Sequence, residues 1–189
     1  MGIAVDPVTD TVYASTGTSL AVINGVTDTI THTIRLHAVG PIESLAVNPT
    51  TNIVYAGSRY AIAVISGDTR SKVKSIPMAT GVVSVAVNPT TDTVYTSSGV
   101  SITAINSSIN AKATTVPVKA FWLAVDPATN TILGTAPNHV VTLSNFGVES
   151  RGSQSRFVLW FSAAGFVIII GAATLVLRVR LRRPRNATS

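Results

Sequence analysis

The chain has 189 residues, no cysteine, 46% hydrophobic residues and 12% charged ones. That composition excludes a disulfide-built scaffold, a thiolate site and a disordered polar chain. The formal charge of +6 suggests nucleic acid until it is located: residues 1–150 hold seven Lys/Arg against eight Asp/Glu, a net of −1, whereas residues 151–189 hold seven Arg and no acid.

In chain order, the first feature is the phrase VDPVTDTVYAS, which returns as VNPTTNIVYAG, VNPTTDTVYTS and VDPATNTILGT. The Asx before each proline falls at Asp6, Asn48, Asn88 and Asp126, at intervals of 42, 40 and 38 residues. Self-similarity at that period marks solenoids, propellers or arrays, so the phrase is a building part before it is a site. One unit, Ile42 to Val82, divides at its turn residues into IESLAVN, NIVYAGS, AIAVISG and SKVKSIP. Four short runs with no helical period predict a four-stranded antiparallel meander. Pro7, Pro49, Pro89 and Pro127 have no N–H to give a ladder and suit the second position of a type I turn, while the Asx before each bonds the backbone ahead. The phrase therefore predicts the hairpin between the first and second strands. Val12 and Tyr13, Val54 and Tyr55, and Val94 and Tyr95 leave that turn with one of each pair on either face.

These phrases, with AVI further along each unit, resemble the YVTN family of β-propeller repeats, here written TVYA, IVYA and TVYT. The resemblance covers roughly residues 2–146, and the fourth copy departs from it at Ile132, Leu133 and Gly134. It implies radial blades, most often seven, on surface-layer and other extracytoplasmic proteins. The expected fold is all-β: a propeller of four-stranded antiparallel blades, with about 3.5 blades present at about 2–41, 42–82, 83–121 and 122–146. A propeller closes with about 4 to 8 blades. The expectation is thus a C-terminal part of a longer, seven-bladed ring, or else self-association through the open blade faces, because uncovered sheets are a liability.

After residue 146 the composition shifts. Residues 147–156 form a polar linker, and Phe157 to Leu177 run 21 residues without a charge. A helix of that length spans about 31 Å, matching the ~30 Å hydrocarbon core, with Trp160 at an interfacial position. Residues 178–189 form a basic tail carrying Arg178, Arg180, Arg182, Arg183 and Arg185. The positive-inside rule places that tail in the cytoplasm and the propeller outside. That topology needs an export signal, and no basic n-region or apolar h-region precedes residue 20. The lipid bilayer is the expected partner of the arginines, and nucleic acid is not expected.

Catalytic chemistry is not legible. His32, His37 and His139 are scattered, and neither a metal-ligand spacing nor a nucleophile elbow or phosphate-cradling loop occurs, so no metal or other cofactor is expected. The turn aspartates exchange with Asn52, Asn130 and their counterparts from copy to copy, which points to turn closure and not to ion binding. Glu43 is the one acid outside a turn in the repeats, facing either a central channel or solvent. Arg59 and Tyr60 replace the small pairs Gly17-Thr18 and Gly99-Val100 at the second hairpin. These three residues form the expected contact patch. The function expected is a membrane-anchored binding module at the cell surface, acting on a protein or envelope ligand through blade loops. The alternatives are a fragment of a lactonase-like propeller enzyme with its active groups on absent blades, and a non-functional gene fragment.

Overall fold

The computed structural model describes residues 1–36, 40–144, 146 and 176–180. The chain is all-β and forms four antiparallel sheets of four strands each. The first sheet contains β1 (Ile3–Asp6), β2 (Thr11–Thr16), β3 (Ser19–Asn24) and β4 (Thr29–Arg35). The second contains β5 (Ile42–Asn48), β6 (Ile53–Ser58), β7 (Ala61–Ser66) and β8 (Ser71–Pro77). The third contains β9 (Ser84–Asn88), β10 (Thr93–Ser97), β11 (Ile102–Asn106) and β12 (Ala111–Val116). The fourth contains β13 (Leu123–Asp126), β14 (Thr131–Ala136), β15 (His139–Ser144) and β16 (Val176–Arg180). Strand order follows chain order in every sheet, as the expected meander requires. We refer to the sheets as blades 1 to 4.

The repeated phrase makes the first hairpin in all four blades. Asp6 pairs with Thr11, Asn48 with Ile53, Asn88 with Thr93 and Asp126 with Thr131, leaving four loop residues in each copy. The last of the four adopts a left-handed conformation: φ is 49° at Asp10, 50° at Asn52, 49° at Asp92 and 47° at Asn130. Asn and Asp are the non-glycine residues that tolerate that region best, which is why both Asx positions recur. The first Asx supplies the other half of the turn, its Oδ1 accepting a hydrogen bond from the N–H two residues on in every copy, at 2.9–3.0 Å.

Alternation then gives each blade two apolar faces, and the blades stack through them. Tyr13, Leu20 and Val22 of blade 1 meet Leu45, Val54, Ala56, Ala63 and Ile65 of blade 2. Tyr55, Ile62 and Val64 of blade 2 meet Val85, Val94 and Ile105 of blade 3. Tyr95, Ile102 and Ala104 of blade 3 meet Ile132, Val141 and Leu143 of blade 4. Each of these large side chains contributes on the order of 1.5–3 kcal/mol by leaving water. The first strands β1, β5, β9 and β13 approach one another in succession, so they form the inner edge from which the sheets fan out. Gly57 marks a close approach between blades 2 and 3: a Cβ there would stand 2.6 Å from Val82 Cγ1 and 2.7 Å from Val85 Cγ2.

The fourth blade differs from the expectation of an incomplete sheet. Val176–Arg180 pairs antiparallel with β15, from Val140 opposite Arg180 to Ser144 opposite Val176. Leu177, expected to end the apolar span, and Arg178 and Arg180, expected in the basic tail, are therefore strand residues here. The physical reason is that β15 would otherwise leave an unpaired row of backbone N–H and C=O groups, and a Val-Leu-Arg-Val-Arg segment has the β-branched content to fill it. No helix among the described residues is long and apolar enough to cross a membrane. The expected linker, Phe157, Trp160, Arg182 and Arg183 lie outside the described residues, as does His37.

Candidate functional site

The antiparallel order sorts the loops to two ends of the fan. At one end lie the first hairpin of each blade and the turns between third and fourth strands. All six aspartates of the chain are in these turns, at Asp6, Asp10, Asp28, Asp68, Asp92 and Asp126. At the other end the second hairpins touch the connections between blades: Leu36 N–H donates to Thr18 O, Met78 N–H to Tyr60 O and Gly99 N–H to Ala120 O, at 2.8–3.1 Å.

The aspartate end holds the blades together. Asn48 Nδ2 donates to Asp92 Oδ1 of the next blade at 2.8 Å, and Asn88 Nδ2 donates to Asn130 Oδ1 at 2.8 Å. The first Asx of one repeat thus clasps the second Asx, the sixth residue of the phrase, in the next. Asp6, Asn48 and Asn88, each with a blade stacked beyond it, are fully buried, whereas Asp126 is only partly buried. Between blades 1 and 2 the corresponding pair is Asp6 and Asn52. Here Asn52 Nδ2 donates to Asp68 Oδ1 at 2.7 Å, and Asp6 Oδ2 and Asn52 Oδ1 are buried with no hydrogen-bond partner among the described residues. That junction has one amide donor for two carboxylates. A cavity of about 320 Å³ opens beside it, lined by Tyr13, Asn52, Asp68 and Arg70 among others.

The repeat tyrosines report the same packing. Burial raises the phenol pKa of Tyr13, Tyr55 and Tyr95 above 10.0. The Tyr95 hydroxyl finds its partner in the Phe146 carbonyl, and the two rings lie 6.0 Å apart. At Asp126 the Thr129 hydroxyl, 2.7 Å away, is the main influence holding the carboxyl below its ordinary value.

The opposite end has a different chemistry. Tyr60 is 64% exposed and Trp122 61% exposed, with Phe121 also open to solvent. Arg35, Arg59 and Lys119 are exposed there, against Glu43 as the one acid among the described residues at this end. Glu43 occupies a register shift in β5, between the pairs Ile42–Ser58 and Ser44–Gly57, so it is the residue squeezed out of the ladder. Strand pairing therefore brings Glu43 to the same end of blade 2 as the Arg59-Tyr60 turn. That turn is braced: the Tyr60 ring lies over Gly40, where a Cβ would stand 3.5 Å from Tyr60 Cδ2, and Val82 N–H donates to Ser58 O at 3.2 Å. Phe121 and Trp122 were not singled out from the sequence, because they sit in a connection that carries no repeat signal; their position after the third blade is the only pointer to this end.

His32 and His139 are exposed on separate strands, and among the described residues no three His, Cys, Asp or Glu side chains gather into a metal-holding group. No family model matches the chain, and no curated protein matches it.

Proposed function

We propose that the chain is a membrane-anchored, extracytoplasmic binding module of the YVTN β-propeller type, which takes an anionic envelope component on its aromatic and basic end. The observation that carries this reading is the separation of chemistries: every aspartate is at one end, while Tyr60, Phe121 and Trp122 stand exposed beside Arg59 and Lys119 at the other. Exposed aromatic faces stack on sugar rings or apolar ligand surfaces, and the neighbouring cations select for acidic groups. Blade loops on a rigid fan are a suitable mount for such contacts.

Anchoring rests on the charge-free run from Phe157 to Leu177 and the arginines after it. A span through the bilayer carries its far end about 30 Å from the blades, so an anchored chain cannot keep β16 on β15. The anchored form exchanges one strand of blade 4 for the span.

Two measurements test the proposal. Membranes containing the full chain should retain it through alkaline washing, and protease added outside should remove the blades. The detergent-solubilised full chain should bind an acidic oligosaccharide, with Tyr60→Ala and Arg59→Ala each weakening binding about tenfold and leaving the unfolding midpoint unchanged. Binding as tight as wild type in both variants would reject this end as the contact surface.

A further inference from the structure

Among the described residues, nothing covers the two outer faces of the fan. On blade 1, Ile3, Val5, Val12, Ala14, Ala21 and Ile23 occupy the repeat positions that in blade 2 are Leu45, Val47, Val54, Ala56, Ala63 and Ile65. In blade 2 these residues pack on the preceding blade, and Leu45 is 7% exposed. In blade 1, Ile3 is 69% exposed and Val5 56% exposed. On blade 4, Leu133 and Val140 occupy the positions of Tyr55 and Ile62, whose side chains enter the next junction; both are exposed. The chain thus shows the two halves of its own repeating interface at opposite ends.

We propose that a second copy covers them: blade 4 of each chain stacks on blade 1 of the other, closing two four-bladed fans into one eight-bladed ring with two identical new junctions. Eight blades fall within the range that closes, and two-fold closure leaves no open face, whereas a mismatched head-to-tail contact would grow without limit. The clasp between turns then sets how tightly the ring holds. Each buried junction sets the Asx before proline of one blade against the left-handed Asx of the first hairpin in the next, hydrogen-bonded at two of the three, and no such couple within the chain consists of two carboxylates: they are Asp6 with Asn52, Asn48 with Asp92, and Asn88 with Asn130. The two new junctions would pair Asp126 with Asp10, so carboxylate meets carboxylate and neither supplies a donor.

The test is sedimentation equilibrium of the detergent-solubilised full chain across a range of concentrations, corrected for bound detergent. Wild type should show monomer and dimer with nothing larger. Asp126→Asn supplies a donor at each of two junctions and should lower the dissociation constant about tenfold per junction, or about a hundredfold in all. Val5→Glu, at an exposed position that the monomer does not need, should abolish the dimer with the circular dichroism spectrum unchanged. Several results would overturn the proposal. A monomer at every concentration in all three proteins would leave these faces to further blades of a longer chain. A ladder of larger species would mean an open polymer, and a dimer that survives Val5→Glu would place the contact elsewhere, for instance in the apolar run.

Discussion

Replacing Asn48 by Asp tests the clasp between blades at one atom. Asn48 is fully buried, and its Nδ2 stands 2.8 Å from Asp92 Oδ1. The substitution leaves the turn bond to Thr50 N–H intact, since that uses Oδ1, and converts the donor into a second carboxylate oxygen. Two unit charges at that separation repel by about 6 kcal/mol at an effective dielectric of about 20. The protein has a cheaper escape, which is to hold a proton on one carboxyl and recover the hydrogen bond as a carboxylic acid donating to a carboxylate. Binding that proton at pH 7 to a group whose ordinary pKa is about 3.9 costs about 4 kcal/mol. The expected destabilisation is therefore about 4 kcal/mol at pH 7, a fall of about 8 to 16 °C in the unfolding midpoint.

The sign with pH follows from linkage. The pair's folded-state pKa is raised above the unfolded value, so the folded state binds the extra proton and stability falls as pH rises. The deficit should shrink to about 1.5 kcal/mol at pH 5. Asn88→Asp, at the same place in the next repeat, is the internal control. Its partner Asn130 is an amide that can turn its Nδ2 towards the new carboxylate, so the cost should stay near 1 kcal/mol or less and barely change with pH. Thermal unfolding of the full chain in detergent, followed by circular dichroism at pH 5 and pH 7, reads both. Equal losses for the two variants, or a loss at Asn48→Asp that ignores pH, would refute the clasp.

Three further outcomes follow from the same packing. Tyr13, Tyr55 and Tyr95, whose phenols burial holds above 10.0, should ionise later than free tyrosine in an ultraviolet titration; since their folded pKa is raised, stability is kept below pH 10 and lost above it. Gly57→Ala should cost about 1–3 kcal/mol in denaturant unfolding, because its Cβ meets two valine methyls of the next junction. Trp122→Ala should leave the unfolding free energy within about 0.5 kcal/mol of wild type while weakening ligand binding, since the ring is mostly solvated.

The sequence by itself determined the repeat, its period, the meander and the hairpin at each Asx-Pro, because turn chemistry and alternation are local and the chain states them four times. It also determined that Arg59 and Tyr60 break the small-residue pattern of the second hairpins. What it could not determine was anything depending on which repeat stands beside which. Asp6, Asn48 and Asn88 have the same local sequence role as Asp126, yet only stacking buries the first three and turns two of them into donors across a junction. Glu43 owes its outward position to a register shift opposite Ser58 and Gly57, and Phe121 and Trp122, in a connection without a repeat phrase, are held at the aromatic end by backbone bonds to Thr135. Val176–Arg180 is the sharpest case: read along the chain it ends an apolar run and begins a basic tail, but the open edge of β15 accepts it as a strand. Local sequence fixes backbone conformation and face; whether a face or an edge is covered depends on a neighbour far along the chain, and that only tertiary structure decides.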